Sequence, residues 1–223
     1  MEKQNHITFL LSFIAGFVDT VGFIAVSGIF AAHVTGNIVL AGASVAHFEK
    51  SDSVFLKLIL IPIFIIGVVL TSRFIAALRY DTKAKLRLLF GVQALMLLLF
   101  SFSGTAIIGH WIDDHMVTGT LIQATLAVLA MAVQNTYMKM LIPKFLSTTV
   151  MTGNLTNFAV EFGNYLSAIP LRPSTRLIAN GSSVFGFVFG SIGGAFGVIE
   201  LGLFSVLFPV LILIFLAVTK RLK

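Results

Sequence analysis

Six runs of apolar residues, each long enough to cross a lipid bilayer, constrain this chain more than any other feature. They lie at about 7–29, 54–78, 86–108, 118–141, 176–198 and 201–219. A helix needs about 20 apolar residues to cross a hydrocarbon core of about 30 Å, and it pairs its own backbone groups there. Only 11% of the residues are charged, against about 25% in a typical soluble domain. The sequence therefore predicts an all-α, polytopic membrane protein.

Two further segments, at 36–48 and 153–168, are shorter and more polar. At about 1.5 Å per residue they reach only about 20 Å and about 24 Å. If all eight segments crossed, 7 Lys and Arg residues would lie inside and 8 outside. If the two short segments enter and return on the same side, 13 lie inside and only Lys50 and Lys57 outside. The positive-inside rule thus favours six transmembrane helices plus two re-entrant half-helices, with both termini cytoplasmic.

The two short segments open with the same tripeptide, Thr-Gly-Asn, at 35–37 and at 152–154. Each follows a long helix that carries a buried polar group and precedes a long helix that contains Phe-x-x-Gly. We interpret the chain as a single membrane domain, 1–223, with a first repeat half at 7–109 and a second at 118–219. Because each half holds three spans, the second copy must lie upside down, which gives a 3+3 inverted repeat of the kind found in transporters.

Further motifs accompany the two tripeptides at 35–37 and 152–154, namely 16–20, Phe30, Gln134-Asn135 and the rest of 148–154. Together they resemble the motifs of a known family, the YoaK-like bacterial inner-membrane proteins, which are defined by a domain of unknown function. The resemblance covers essentially the whole chain, and the paired Thr-Gly-Asn tripeptides are its most specific part. It implies a polytopic protein of the bacterial inner membrane and implies no substrate.

The start of a helix leaves backbone N–H groups unpaired, and in hydrocarbon each unpaired group costs several kcal/mol. Thr and Asn side chains can cap such groups, and a helix N-terminus favours an anion or a carbonyl dipole. Two such starts that enter from opposite faces would meet near the midplane, where broken-helix transporters bind solutes. The alternative is a self-satisfied turn between packed helices. The candidate substrate-binding residues are Asp19, Thr35, Gly36, Asn37, Gln134, Asn135, Thr152, Gly153, Asn154, Asn157 and Glu161.

Some of these residues have structural interpretations of equal weight. Asp19 lies midway along the first span, where a charge costs about 2.5–3.5 kcal/mol; it is either a proton, cation or solute site or a hydrogen-bond partner of a half-helix start. Glu161 shares a helix face with Asn154 and Asn157, or it is merely solvated. His33 is a weaker candidate for a titrating group. The glycines at 186–197 indicate faces for close helix contact.

The leading functional hypothesis is transport of a small polar or anionic solute or ion through this midplane site, by a carrier or a channel. The alternative is a non-transporting membrane scaffold or assembly partner that contacts other proteins through its glycine-rich faces. We expect no enzyme activity and no cofactor, because the chain has no Cys, no P-loop and no nucleophile elbow. We expect no metal site and no nucleic-acid partner, and the polar loop at 110–115 is interpreted as solvated. A homo-oligomer is compatible with the sequence.

Overall fold

The computed structural model describes residues 2–47, 51–104, 116–143, 146–167 and 173–219. Within these ranges the chain forms eight α-helices and no β-strand. A short 3₁₀ segment, Gly202–Val206, joins the last two helices. The helices are α1 (Glu2–Ala25), α2 (Gly36–Ala46), α3 (Ser51–Ala77), α4 (Thr82–Phe102), α5 (Met116–Leu141), α6 (Met151–Ser167), α7 (Thr175–Leu201) and α8 (Leu207–Val218). The predicted polar loop at 110–115 lies outside the described residues.

Five helical stretches in the described part of the chain are long and apolar enough to cross a membrane. The last of them runs through α7, the 3₁₀ segment and α8 and contains 44 residues. The two short helices α2 and α6 are the ones that begin at the Thr-Gly-Asn motifs. The chain is therefore a multi-pass helical membrane protein. The five stretches are Gln4–Ala25, Asp52–Ala77, Thr82–Phe102, Gly119–Leu141 and Thr175–Val218.

The first long helix ends earlier than hydropathy predicts, at Ala25 rather than near residue 29. Ser27 and Gly28 have φ of 52° and 71°, and the Gly28 N–H donates to the Phe23 carbonyl at 3.1 Å. This six-to-one bond, made by the residue after the left-handed Ser27, is a common way for a helix to stop. Hydropathy did not locate this end, because apolar residues continue beyond it at Val26 and from Ile29 to Ala32.

The fourth helix begins at Thr82, four residues before the start predicted from hydropathy. The Asp81 carboxylate accepts a hydrogen bond from the Ala84 N–H at 3.2 Å, which caps the first turn. Charged residues fill this turn, so the apolar pattern begins only after the helix has already formed. The end of the predicted span at 105–108 lies outside the described residues.

The helices pack in pairs around a core of buried apolar side chains. Helix α1 packs along α7, α5 packs against α3 and α4, and α4 also contacts α8. Each short helix lies against the long helix that follows it, α2 on α3 and α6 on α7. The largest fully buried core side chains include Phe90, Phe100, Leu11, Met131 and Tyr137.

Glycine makes the contact between α1 and α7 possible. A Cβ atom at Gly186, Gly190 or Gly194 would lie within 3.0 Å of a backbone atom of α1. The reverse holds for Gly16 of α1, where a Cβ would meet the backbone of α7. Small residues in both helices therefore allow the backbones to touch directly, as in other membrane helix pairs.

Candidate functional site

Asp19 holds the segment that leads into the first short helix. One carboxylate oxygen accepts hydrogen bonds from the N–H groups of Ala31 and Ala32, at 2.8 and 2.6 Å. The other lies 2.5 Å from Nδ1 of His33. Asp19 is only 3% exposed, so its carboxyl group is buried together with three partners. A buried carboxylate with this many donors stabilises irregular backbone inside a membrane protein.

The Asn of the first motif also holds this segment. Its side-chain oxygen accepts from the Phe30 N–H at 2.8 Å, and its side-chain nitrogen donates to the Phe30 carbonyl at 2.9 Å. Asn37 is completely buried. The amide side chain thus pairs both polar groups of one loop residue seven positions earlier.

The start of α2 differs from the sequence-based expectation of side-chain capping. Thr35 makes no side-chain capping bond. The first three amides of the helix instead donate to the carbonyls three residues back, at 2.8–3.2 Å, in the manner of a 3₁₀ turn. A tight turn therefore closes this helix start, and its amides are not free for a solute.

The second short helix is held by a network of amide and hydroxyl side chains. Gln134 donates to the Thr148 hydroxyl at 2.8 Å and to the Leu11 carbonyl at 2.9 Å, and it accepts from Gln93 at 2.7 Å. The side-chain oxygen of Asn135 accepts a hydrogen bond from the Thr149 hydroxyl. These bonds fix the loop before α6 much as Asp19 fixes the loop before α2.

Asn154 bridges the start of α6 to its surroundings. Its side-chain nitrogen donates to the Ser147 carbonyl at 2.6 Å and to the Ser183 hydroxyl at 2.9 Å. Among the described residues, the amides of Met151, Thr152 and Gly153 have no hydrogen-bond partner. This helix start, unlike that of α2, leaves its first amides open.

Two contacts recur with the same spacing of 117 residues. The bond between Asn37 and Phe30 has its counterpart between Asn154 and Ser147, and in each case the partners are seven residues apart. The second pair of contacts joins a short helix to the long helix that follows it: Lys57 donates to Ser44 at 2.5 Å, and Ser174 donates to Glu161 at 2.6 Å. The two contacts occupy equivalent positions in the two halves. The charged residue is Lys57 on the long helix in the first half and Glu161 on the short helix in the second.

The two motifs line one cavity of about 550 Å³. Residues from the first loop, from α3, from α5 and from the start of α6 form its walls. Of the predicted site residues, Thr35, Asn135 and Thr152 line it, as does His33. The described residues that line it are Ala32, His33, Val34, Thr35, Ile38, Ile61, Phe64, Ile65, Asn135, Thr149, Val150, Met151 and Thr152.

A second cavity of about 910 Å³ lies between α3 and the end of α5. It shares four lining residues with the first cavity: Phe64, Asn135, Thr149 and Val150. Lys139, Ser72, Thr136 and Ser147 add polar groups to its wall. Among the residues that the structure describes, no carboxylate lines either cavity, and Lys139 is the one Lys or Arg side chain in the two linings.

The remaining predicted site residues line neither cavity. Asp19, Gln134, Asn37 and Asn154 are buried and hold the two loops in place. Gly36 allows close contact, since a Cβ there would lie 2.8 Å from the Phe30 ring. A Cβ at Gly153 would meet only a Val150 side-chain carbon, at 3.4 Å.

Asn157 and Glu161 lie away from both cavities. Asn157 is exposed, and Glu161 accepts a hydrogen bond from Ser174 at the N-cap of α7. Helical spacing placed them with Asn154 on one face, but the cavity reaches only the first turn of α6.

Sequence reasoning missed several residues that the structure brings to this region. Gln93 accepts from the Tyr137 hydroxyl at 2.8 Å and donates to Gln134. The available signal was a lone amide within an otherwise apolar span. Phe64 and Thr149 line both cavities. Thr149 lies in the segment at 148–154, which carries part of the family resemblance.

The chemistry of the two cavities is hydrogen bonding with little fixed charge. Hydroxyls, one carboxamide and the open amides of α6 can bind an acceptor on a solute. Across the described ranges, no group of three or more His, Cys, Asp or Glu side chains could hold a metal ion.

Comparison with known proteins places the chain in a family. A model described as protein of unknown function (DUF1275) matches residues 7–219. No curated protein and no solved structure gives a match. The match spans nearly the full length and includes both short helices and both cavities. The chain belongs to the DUF1275 family of membrane proteins.

Proposed function

We propose that this protein transports a small polar or anionic solute across the bacterial inner membrane, through a midplane site between its two Thr-Gly-Asn helix starts. The observation that carries the proposal is the cavity of about 550 Å³ that both starts line. Irregular backbone at membrane depth is tolerated where it is buried in protein or lines a watery cavity. Two broken segments beside one cavity match the arrangement of a solute site in secondary transporters.

Six crossings and two re-entrant half-helices, arranged as a 3+3 inverted repeat, form the topology of this proposal. At about 1.5 Å per residue, the 44-residue stretch from Thr175 to Val218 is about 66 Å long, roughly twice a hydrocarbon core. The 3₁₀ segment with Gly202 at φ 56° interrupts it. The two pairs of contacts spaced by 117 residues support the repeat.

The cavity linings support an anionic or neutral solute over a cation. No carboxylate of the described part of the chain lines either cavity, and the Asp19 oxygens already have partners, the amides of Ala31 and Ala32 and Nδ1 of His33. The open amides at the start of α6 carry the positive end of a helix dipole. Lys139 adds a positive charge in the larger cavity.

Replacing Thr152 by valine tests the site with almost no change in shape. Thr152 is exposed on the cavity, so loss of its hydroxyl should leave the thermal unfolding midpoint nearly unchanged. Loss of one hydrogen bond of about 1.4 kcal/mol should weaken solute binding about tenfold. The measurement is a thermal-shift screen of the detergent-purified protein with small organic and inorganic anions, neutral amides and polyols, followed by uptake into proteoliposomes.

Thr156→Val is the matched control, because Thr156 lies one turn later on α6, is exposed and lines neither cavity. It should bind and transport as the unmodified protein does. If neither binding nor uptake is found for any compound class, or if both variants weaken binding equally, the solute site is wrong.

The proposed topology has its own test. The natural chain has no Cys, so single cysteines report their own location. Arg172→Cys and Lys220→Cys should both react with a membrane-impermeant thiol reagent only from the cytoplasmic side. Labelling of Arg172→Cys from outside would overturn the re-entrant arrangement of the second short helix.

A scaffold role through the glycine-rich faces has less support. A Cβ at each of the five glycines between Gly186 and Gly197 would meet atoms of α1 or of Ser205 in the same chain. These faces are therefore occupied by intramolecular contacts, and a partner would need another surface. That the protein is not an enzyme, and that it assembles with itself, stay predictions.

A further inference from the structure

The proposed repeat makes two helix pairs equivalent, α1 with α7 and α5 with α3. The two pairs differ in how closely their helices pack. With the spacing of 117 residues, α1 corresponds to α5 and α3 to α7, so the α1–α7 crossing corresponds to the α5–α3 crossing. Both crossings are closed at one level. Ser12 of α1 and Ser183 of α7 are hydrogen-bonded at 3.0 Å, and a Cβ at Gly67 of α3 would lie 2.8 Å from Leu129 of α5.

Beyond that level the crossings diverge. The α1–α7 pair stays closed to its end, because a Cβ at Gly194 would lie 2.7 Å from the Phe17 carbonyl and 3.2 Å from Thr20. The corresponding residue of α3 is Ala77, which is exposed. The cavity of about 910 Å³ lies beside this crossing, against Phe64, Val68 and Ser72 of α3 and residues of α5 between 135 and 140. One crossing is shut and its counterpart is open.

From this asymmetry we infer that the protein is a carrier with a second cavity, closed here, between α1 and α7. Exchange of the two crossings between their open and shut states would expose the midplane site to the other side of the membrane. Inverted repeats permit this, since each half can adopt the conformation of the other. The inference rests on the proposed repeat and goes beyond the proposed function, which a passive channel would also satisfy.

The spacing also identifies the lining of the closed cavity. On α5 the open cavity is lined by Met140 and by Asn135, Thr136, Met138 and Lys139, of which the last four have buried counterparts on α1. These counterparts are Val18, Asp19, Val21 and Gly22. Asp19, now 3% exposed, would become part of a solute-accessible wall in the second state.

His33 adds an independent observation. Its Nε2 atom is buried and has no hydrogen-bond partner among the described residues. Buried polar atoms in native structures are nearly always paired, and an exception calls for an explanation. By the same spacing His33 corresponds to Val150, which lines both cavities. Opening of the α1–α7 crossing would bring this nitrogen to water or solute.

A disulfide bond can trap the second state without knowledge of the solute. The His33 ring contacts the Phe187 ring across the closed crossing, with centroids 5.0 Å apart. The corresponding residues at the open crossing are Val150 and Leu70, now 58% and 63% exposed. In the exchanged state they should meet, so Leu70→Cys with Val150→Cys should form a disulfide on oxidation with copper phenanthroline.

Reporter cysteines measure the exchange with a membrane-impermeant methanethiosulfonate reagent. Val18→Cys, fully buried here, should gain labelling about tenfold or more when the disulfide forms, because a minor state is typically populated at or below about 10%. Ser72→Cys, on the open cavity, should lose labelling. Lys83→Cys, exposed at the start of α4, is the control and should not change.

Two results would overturn the carrier. In the first, Leu70→Cys and Val150→Cys each react singly with the reagent but never form the disulfide. In the second, the disulfide forms with no change in labelling of Val18→Cys or Ser72→Cys. Either result leaves a passive channel standing. If the labelling of Val18→Cys rises and that of Ser72→Cys falls but no solute binds, the result counts against the proposed solute and leaves the two conformations intact.

Discussion

Replacing Asp19 by alanine is expected to produce the largest loss of stability of any substitution at the candidate site. The change removes the acceptor of two backbone amides and of the His33 ring. An unsatisfied buried donor costs about 1–3 kcal/mol, so two amides alone should lower the free energy of unfolding by about 3 kcal/mol. The measurement is the midpoint of thermal unfolding of the purified protein in detergent.

Asp19→Asn separates the hydrogen bonds from the charge. The asparagine oxygen can still accept from Ala31 and Ala32, so most of the stability should remain. If a charge at this position contributes to transport, the asparagine variant should fold normally and transport poorly. An alanine variant as stable as the natural chain would show that the loop before α2 does not depend on this carboxylate.

The membrane class, the two short helices and the residues that hold them could be predicted from the sequence, because each has a local signal. Apolar runs give the spans, and a repeated Thr-Gly-Asn gives the two starts. An acid or an amide pair within an apolar run indicates a buried polar contact. Asp19, Gln134 and Asn135 were selected on that basis, and all three hold loops beside the cavity.

The role of each motif residue could not be predicted, because it depends on backbone geometry. Thr35 was expected to cap and does not, whereas Asn37 bonds backward to Phe30. The two helix starts share a sequence and differ in whether their amides are paired. That difference arises from the 3₁₀ turn after His33. Because the tripeptide Thr-Gly-Asn is the same at both starts, it could not predict a turn at only one of them.

Contacts between distant segments were the least predictable part of the site. The glycines of α7 indicated a close partner, but only the fold shows that the partner is α1. Likewise, the pairing of Ser44 with Lys57 and of Glu161 with Ser174 joins residues of unlike chemistry. No comparison of residue types would align them, and only their common spacing and position do so.

Replacing Gly190 by alanine is expected to force α1 and α7 apart. A Cβ at this position would lie under 3.0 Å from the carbonyl oxygen, carbonyl carbon and Cα of Phe13. All three are backbone atoms, so no side-chain rotation can relieve the overlap. Overpacking of this kind costs about 1–3 kcal/mol, more than the gain of about 1 kcal/mol from helix propensity. The unfolding midpoint in detergent should fall.

Gly193→Ala provides the matched control on the same helix. Its Cβ would meet only ring atoms of Phe13 and Phe17, at 3.5–3.6 Å, which is ordinary contact. With no overlap to relieve, the helix-propensity gain should dominate, and the variant should be as stable as the natural chain or slightly more stable. Equal effects at the two positions would mean that α1 and α7 do not touch through their backbones. A fall at Gly190 alone would establish the closed crossing on which the carrier inference depends, since only direct backbone contact distinguishes two glycines three residues apart.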